Sequence, residues 1–529
     1  MVDAEVHRGH DERWSSKLGL IVAVAGSAVG LGNFLRFPGQ AAEHGGGAFM
    51  VPYFLALLLL GIPIAWVEWT LGRCGGRRGL HSAPAILGLV GGGPAFRYLG
   101  VVGLLIPLVI YLYYVLIESW CLRYTFEYLV GGMDLGDDAT RYAATSEALF
   151  VRFTGSADNG LIIGGRLHPS VLAWLLVVGV NVWVLFAGLS RGIERFVRIA
   201  MPTMAVCAII VLVRVLTLGA PDPAHPERDV VAGLGFMWNP DLAALLDFRT
   251  WLAAAGQIFF SLSVGFGIVL NYSSYLRHDD DVVLSGLTAV STNEVFEVGF
   301  GGLITLPAAF VFLGATAAVG GTFGLGFVTL PVVFEHMGAL GRAIGALWFF
   351  MLFLAAITSS LSMLQPVVAF VMEALAVPRR RAVGLVALTT TLGSLWVIYF
   401  SKDLVALDTL DFWVGTALIF VLASLQLAVF VWRLGVDRGL EEAHRGAELK
   451  IPRVYRPVLK YVAPAFLLVV FAGFCVQSLP ATVRGLADRP VAAATLGFIG
   501  GLLLLLLFLV HTAGRRGALS PMDDGGGGE

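Results

Sequence analysis

The sequence predicts an all-α integral membrane protein of about twelve transmembrane helices. Three observations carry that expectation. Hydrophobic residues make up 57% of the 529-residue chain and charged residues only 14%, whereas a soluble protein has about 25% charged residues. Apolar runs of about 20 residues, the length that crosses a bilayer, recur throughout. Two of these runs are interrupted near their middle by a glycine pair among polar side chains, at 27–33 and at 261–267.

The first apolar run starts after Trp14 and contains the first interruption. It lacks a small-residue cleavage site and does not read as a signal peptide. The clearest later spans are 171–186, 200–217, 383–400, 415–432, 464–476 and 492–510. Basic residues gather in alternate loops: Arg8, Arg13 and Lys17, then Arg73, Arg77 and Arg78, then Arg191, Arg195 and Arg198, then Arg379, Arg380 and Arg381, then Lys450 and Arg453, then Arg515 and Arg516. The loops between them, including 134–138 and 314–341, carry few. The positive-inside rule therefore puts both termini in the cytoplasm, which an even number of spans requires. Residues 1–14 are then a cytoplasmic N-terminal segment, and 515–529 a cytoplasmic tail whose low-complexity end predicts disorder.

About five spans separate the two interruptions. An odd offset gives the two halves opposite polarity in the membrane, the inverted-repeat pattern of secondary transporters. The first repeat is placed at 15–218 and the second at 240–435, with the last two helices at 451–514 outside both. Cys74, Cys121, Cys207 and Cys475 stand singly. No CxxC or Cys/His ligand spacing occurs, so they read as small buried hydrophobes rather than zinc ligands. A net charge of −2 with no concentrated basic face argues against a nucleic-acid partner. No GxxxxGK[ST], HExxH or GxSxG motif occurs, which disfavours an ATP-driven pump, a metalloprotease or a lipase. No enzyme activity is expected.

A membrane helix broken at mid-depth leaves backbone groups without partners, which lipid cannot satisfy. Such a break survives only inside protein or beside a cavity. At Gly30-Leu31-Gly32 the alternative is a close helix contact through small residues. Ser27, Asn33, Arg36 and Pro38 crowd the same segment and favour a binding role, with free N–H groups aimed at an anion such as a carboxylate. At Gly265-Phe266-Gly267 the alternative is a simple kink. Gln257, Ser261 and Ser263 beside it offer oxygens that suit a hard cation such as sodium. Thr358-Ser359-Ser360 supplies hydroxyls that, taken alone, are as well explained by bonds within their own helix. Asn293, Glu294 and Glu297 put two carboxylates one turn apart in or near the membrane, where such groups are functional by default. Glu68, between Trp66 and Trp69, reads as a partner for unsatisfied backbone.

Long ordered motifs then carry a resemblance. Trp14, the run from Gly26 to Pro38 and Gly45-Gly46-Gly47-Ala48-Phe49 resemble the neurotransmitter:sodium symporters, closest to their bacterial leucine-transporter branch. Further matches are Ile117-Glu118-Ser119-Trp120, Gly192-Ile193-Glu194-Arg195, Gln257-Ile258-Phe259-Phe260, Leu284-Ser285-Gly286-Leu287-Thr288 and Asp411-Phe412-Trp413. The resemblance implies twelve helices, the first ten in two inverted five-helix repeats with discontinuous first and sixth helices. It implies substrate contacts at Ser27, Ala28, Gly30, Leu31, Gly32, Tyr114, Phe260, Ser261 and Ser263, and a side-chain pocket of Ile110, Tyr114, Phe260, Phe266, Ser359 and Met363. One sodium site would use Ala28, Asn33, Ser261, Asn293 and the substrate carboxylate. A second would use the carbonyls of Gly26, Val29 and Ala355 with the hydroxyls of Thr358 and Ser359. Tyr114 and Phe260 would form a lid. Arg36 and Asp411 would close an outer gate through a charge-assisted pair, and Tyr275, Ser274 and Glu373 an inner one.

Gly30 stands where monoamine-transporting relatives carry an aspartate, which favours amino acids as substrate. Glu297 stands where chloride-dependent relatives carry a serine, near Tyr53, Gln257, Ser261 and Asn293, so chloride independence is expected. Departures from the leucine-transporter pattern fall at Ser27, Ser261, Met363 and Ile110. The expected inner-gate arginine is also displaced, with Arg13 or Arg8 as substitutes. The reading is sodium-coupled symport of neutral, mainly hydrophobic L-amino acids with two sodium ions and no chloride. Its alternative is another small carboxylate-bearing solute, such as glycine, a beta-amino acid or a compatible solute. The expected location is the inner (plasma) membrane, in contact with lipid, and the resemblance leaves room for a homodimer.

Overall fold

The computed structural model describes residues 14–221, 225–314 and 321–521. Among these, nine helices are long and apolar enough to cross a bilayer alone, and a pair bent by 45° makes a tenth. Two more complete the set: the shorter apolar helix Val171–Phe186 and a second broken helix, Phe248–Ser261 with Ile268–Ser273. We number them α1 (Lys17–Ala28 and Gly32–Glu43), α2 (Gly47–Gly76), α3 (Pro94–Val130), α4 (Val171–Phe186), α5 (Leu189–Leu216) and α6 (Phe248–Ser261 and Ile268–Ser273). The rest are α7 (Val282–Leu313), α8 (Gly338–Leu375), α9 (Arg379–Tyr399), α10 (Lys402–Ala443), α11 (Tyr455–Gly485) and α12 (Pro490–Arg515). α3 and α8 are the most enclosed spans, with 94% and 83% of their apolar windows buried, whereas α11 and α12 have 22% each. The fold is therefore built around α3 and α8, with the last two helices at its edge.

The breaks follow from local chemistry. Val29 turns out of the helix at ψ 98°, ending the first half of α1. The second half opens with a wide π turn, Gly32–Arg36, a feature frequent at functional sites. In α6 the chain passes through positive φ at Ser263, Gly265 and Gly267, which continuous helix forbids. At Gly267 a side chain is excluded as well, because a Cβ would lie 2.4 Å from the Gly103 carbonyl of α3. α2 meets the second half of α6 through Gly72 and Gly76, one turn apart. A Cβ on Gly76 would fall 1.8 Å from the Ser274 carbonyl. Small residues at this spacing let two membrane backbones touch.

The start of α1 and the end of α12 lie on one face, hereafter the terminal face. There Trp14 Nε1 donates to the Tyr272 carbonyl at 3.1 Å, and the Ser15 amide and hydroxyl donate to Glu194. Near the other chain end, the Tyr98 hydroxyl lies 2.8 Å from His511 Nδ1. Arg73, fully buried, donates to the carbonyls of Asp280 (2.6 Å), Arg445 (3.0 Å) and Glu442, and pairs with the Glu442 carboxylate. Glu442 also takes Arg77 and Arg445, so a charge that would be costly alone sits in a network.

On the far face, the α3–α4 loop folds into the helix Tyr142–Thr154 and a two-residue hairpin, β1 (Ile162–Ile163) with β2 (Arg166–Leu167). His168 clasps this loop to the α9–α10 junction. Its Nδ1 accepts from the Ser170 amide at 3.2 Å, and its Nε2 lies 3.1 Å from the Ser401 hydroxyl.

Two outcomes are expected. Gly76→Ala forces a Cβ into a backbone carbonyl and should cost about 1–3 kcal/mol, read as a lower melting temperature of the purified protein. Burial holds His168 down to about 4, from an ordinary 6.5. Its neutral form is the one that fits, because Nδ1 must accept. The stabilisation is complete above pH 6.5 and falls away as pH drops toward 4, by up to about 1.4 kcal/mol per pH unit. Thermal melts of wild type and His168→Gln at pH 7 and pH 5 should show the wild type losing more on acidification.

Candidate functional site

The two breaks face each other and α8. Together they line a cleft formed by Ser27, Ala28, Gly30, Gly32, Tyr114, Phe260, Ser261, Ser263, Phe266, Ser359 and Met363. Two of the expected substrate residues lie elsewhere. Leu31 lines a neighbouring cavity, its amide donating to the Tyr114 hydroxyl at 3.1 Å. Ile110 is fully buried and lines neither space.

The break frees carbonyls by diverting their helical donors. The Gly30 amide, which would serve the Gly26 carbonyl, donates instead to Asn33 Oδ1 at 2.8 Å. The Leu31 amide, which would serve Ser27, goes to Tyr114. The Asn33 amide, which would serve Val29, goes to the Gly30 carbonyl at 3.2 Å. The carbonyls of Gly26, Ser27 and Val29 thus lose their ordinary partners. That of Ser27 lies 3.3 Å from the Ser263 hydroxyl of α6 and 3.1 Å from the Ser359 hydroxyl of α8. One oxygen therefore ties both breaks to the core. The Ser27 hydroxyl is buried without a partner at the same place.

In α6 the exposed backbone is met by Glu68, fully buried on α2, whose Oε1 accepts from the Gly265 amide at 3.1 Å.

Asn33, Ser261 and Asn293 come together. Asn33 Nδ2 donates to Asn293 Oδ1 (2.8 Å) and Glu297 Oε2 (3.1 Å), and lies 3.4 Å from the Ser261 hydroxyl. Asn293 Nδ2 donates to Ser261 Oγ at 2.7 Å and lies 3.2 Å from Glu297 Oε2. Gln257 Nε2 donates to Glu297 Oε1 at 2.8 Å. The fully buried Glu297 carboxylate is thus held by three amides, and among the described residues no cationic side chain pairs with it. Tyr53, expected beside it, donates its hydroxyl to Glu294 at 2.8 Å.

The donor set is carbonyl, hydroxyl and amide oxygen around one carboxylate, which suits a hard monovalent cation rather than a transition metal. Among the described residues no group of three or more His, Cys, Asp or Glu forms a metal cluster. In the second expected cation set, Thr358 Oγ1 lies 3.1 Å from the Leu354 carbonyl and 3.0 Å from that of Ala355. Ser359 Oγ lies 3.2 Å from the Ala355 carbonyl and also reaches α1. Thr358 bonds within its own helix, while Ser359 bridges.

The structure differs from expectation at the outer gate. Arg36 and Asp411 line one cavity, but no ion pair between them occurs among the described residues. The guanidinium is engaged elsewhere: it lies over the Phe260 ring at 4.6 Å, and Nη1 donates to Gln257 Oε1 at 3.2 Å. Asp411 accepts the Tyr113 hydroxyl at 2.6 Å. Gly32, Tyr114 and Phe260 border both this cavity and the cleft, and so form the partition between them.

On the terminal face, Ser274, Tyr275 and Glu373 do converge, but on His81 of the α2–α3 loop, which no motif singled out. Arg8 and Arg13 lie outside the described residues. The fully buried Glu118 of α3 accepts from Asn181 Nδ2 of α4 at 3.2 Å, and Asn181 Oδ1 accepts from Ser360 of α8 at 2.9 Å. Its membrane depth was the sequence signal for it.

A bundle with two mid-membrane breaks around a closed polar cleft is the architecture of a secondary transporter. The profile of the sodium:neurotransmitter symporter family matches residues 11–142 and 136–515. The chain belongs to that family. It is 30% identical over 465 residues to an uncharacterized sodium-dependent transporter of Methanocaldococcus jannaschii, covering 87% of this chain and 89% of that one. It is 26% identical over 515 residues to sodium-dependent nutrient amino acid transporter 1 of Drosophila virilis, covering 89% and 78%. The crystal structure of MhsT in complex with L-phenylalanine matches with a TM-score of 0.74 at 28% identity, covering 87% of this chain and 99% of that one. The protein is thus a multi-pass, sodium-dependent membrane transporter of the all-α fold expected, two inverted five-helix repeats followed by two helices.

Asn33→Ala should leave Asn293 Oδ1 and Glu297 Oε2 short of a donor in a buried site. We expect a loss of about 1–3 kcal/mol, measured as a lower melting temperature in potassium buffer.

Proposed function

We propose that this protein takes up neutral, mainly hydrophobic L-amino acids by sodium-coupled symport and alternating access, without chloride. The observation that carries the reading is the cleft itself. It joins carbonyls freed at one break, hydroxyls of α6 and α8, and the apolar groups of Phe260, Phe266 and Met363. A zwitterion with an apolar side chain is complementary to that mixture. Its carboxylate would lie toward Gly30–Gly32 and the Asn33 cluster, and its side chain toward Met363 and Phe266. A carboxylate that also ligates sodium makes each ligand's affinity depend on the other, and the dependence is reciprocal. We assign one ion to Ala28, Asn33, Ser261 and Asn293 and a second to Gly26, Val29, Ala355, Thr358 and Ser359.

Gly30 supports an amino acid over a monoamine. A Cβ there would lie 2.7 Å from Ser359 Oγ and 2.8 Å from the Tyr114 hydroxyl, leaving little room for an aspartate. Glu297 supplies a fixed negative charge where an anion would otherwise be needed. The basic loops support a cytoplasmic terminal face in the plasma membrane, with the repeats at 15–218 and 240–435.

The test is binding of radiolabelled leucine to purified protein in sodium and in potassium, with unlabelled amino acids and compatible solutes as competitors. Saturable binding in sodium alone is expected, with hydrophobic amino acids competing best. Equal binding in both salts would overturn the coupling, and displacement by glycine or a compatible solute alone would overturn the substrate class. Replacing the fixed charge by Glu297→Ser should make sodium-driven uptake in proteoliposomes depend on added chloride, while wild type is indifferent to it.

A further inference from the structure

The α2–α3 loop places one residue, His81, between two helices that must part if the terminal face opens. Its amide, its carbonyl, its Nδ1 and its ring face are each engaged. Its amide donates to Glu373 Oε1 of α8 at 2.5 Å, and its carbonyl accepts from Asn271 Nδ2 of α6 at 2.8 Å. Its Nδ1 lies 2.8 Å from the Ser274 hydroxyl. Its ring stacks on Tyr275 with centroids 4.2 Å apart and planes 2° from parallel. Ser274 Oγ itself lies 2.6 Å from the Asn271 carbonyl. With the hydroxyl hydrogen committed there, Nδ1 carries the proton and donates to Ser274.

The neighbouring contacts connect this residue to α1. The Tyr272 carbonyl, two residues before Ser274, receives the Trp14 indole, and the two rings meet edge-on at 5.0 Å. The Tyr272 hydroxyl reaches Ser362 of α8 at 2.9 Å. The end of α6 therefore carries the start of α1 on one side and is held to α8 through His81 on the other. Gly76 packs against the same turn and leaves it no slack.

We propose that His81 is the pin of the terminal-face gate: a positioning residue whose side chain holds the end of α6 against α8 and so keeps the first half of α1 shut. This deepens the transporter reading above and rests on it. The pin acts through position alone. Its side chain adds the Ser274 hydrogen bond and the Tyr275 stack to a backbone that already links Glu373 of α8 and Asn271 of α6. Opening requires the Ser274, Tyr275 and Asn271 contacts to break while the amide bond to Glu373 of α8 stays.

Hydrogen exchange of the full-length protein in nanodiscs tests this. His81→Ala keeps both backbone bonds and removes only the side-chain contacts. In sodium it should raise amide exchange across 14–28 and 268–276 by about tenfold, the worth of one buried hydrogen bond and a stack. Exchange in α3 should stay at the wild-type rate. His81→Gln keeps an amide donor for Ser274 without the ring, and should raise the same segments by a smaller factor, about threefold. An unchanged rate at 14–28 in His81→Ala, or an increase shared equally by α3, overturns the proposal. Variants and wild type are compared within one salt. A wild-type protein showing no sodium dependence would count against the coupling reading and leave this comparison intact.

Discussion

The structure depends on one constraint: a membrane interior offers no water to an unpaired peptide group. Two helices are nevertheless broken there, and the orphaned groups at the breaks have to be met by protein or face a cavity. Asn33 and Tyr114 take amides of α1, and Glu68 takes an amide of α6. The hydroxyls of Ser263 and Ser359 reach the Ser27 carbonyl. Each of these side chains comes from another part of the fold, or from beyond the break. The breaks cannot form until α2, α3, α6 and α8 are in place, so local irregularity and global packing specify each other.

The same economy couples the two halves. The Ser27 carbonyl is shared by α6 and α8, and the Asn33 side chain is shared by α1, α6 and α7. A ligand that takes an oxygen from either set must redistribute the hydrogen bonds of both. On the proposed reading, a cation drawing on Asn33, Ser261 and Asn293 does not merely sit beside the cleft. It competes for the lone pairs that hold the breaks together, which is how an ion could bias the arrangement of two rigid bodies. Glu297 fits this picture as a buried carboxylate one turn from Glu294, both of them reached by Asn293. Amides of Asn33, Asn293 and Gln257 orient it at the place where a cation would supply the countercharge.

How much of this was legible in the sequence varies with the kind of interaction. Helix number, both breaks and most of the cleft could be read, because they are encoded by apolar length and by glycine and polar residues in apolar runs. Glu68 was readable as a backbone partner for the same reason: a carboxylate at that depth needs one. The pairing of Arg36 was not. A guanidinium in a polar vestibule has several acceptors within reach, and here Gln257 and the face of Phe260 hold it rather than Asp411. Ile110 is apolar like its neighbours, and only three-dimensional packing decides whether such a residue lines the cleft. His81 was invisible because it lies in a loop whose position no periodicity constrains. Its role exists only once α6 and α8 are brought to either side of it.

The two faces of the molecule are closed by different physics. On the terminal face, hydrogen bonds and ring contacts cross between separate elements: Trp14 to Tyr272, Ser15 to Glu194, Tyr272 to Ser362, and His81 to α6 and α8. On the far face, the two charges expected to meet border a cavity instead, and only the Gly32, Tyr114 and Phe260 partition stands between it and the cleft. Phe260 is the partly buried aromatic member of that partition. Its ring lies between the Arg36 guanidinium, a contact worth about 0.5–1 kcal/mol at such a site, and the Phe266 ring, which meets it edge-on at 5.9 Å. In this conformation the cleft is therefore separated from the far-face cavity by a partition of three residues, whereas the terminal face is crossed by several contacts between separate elements.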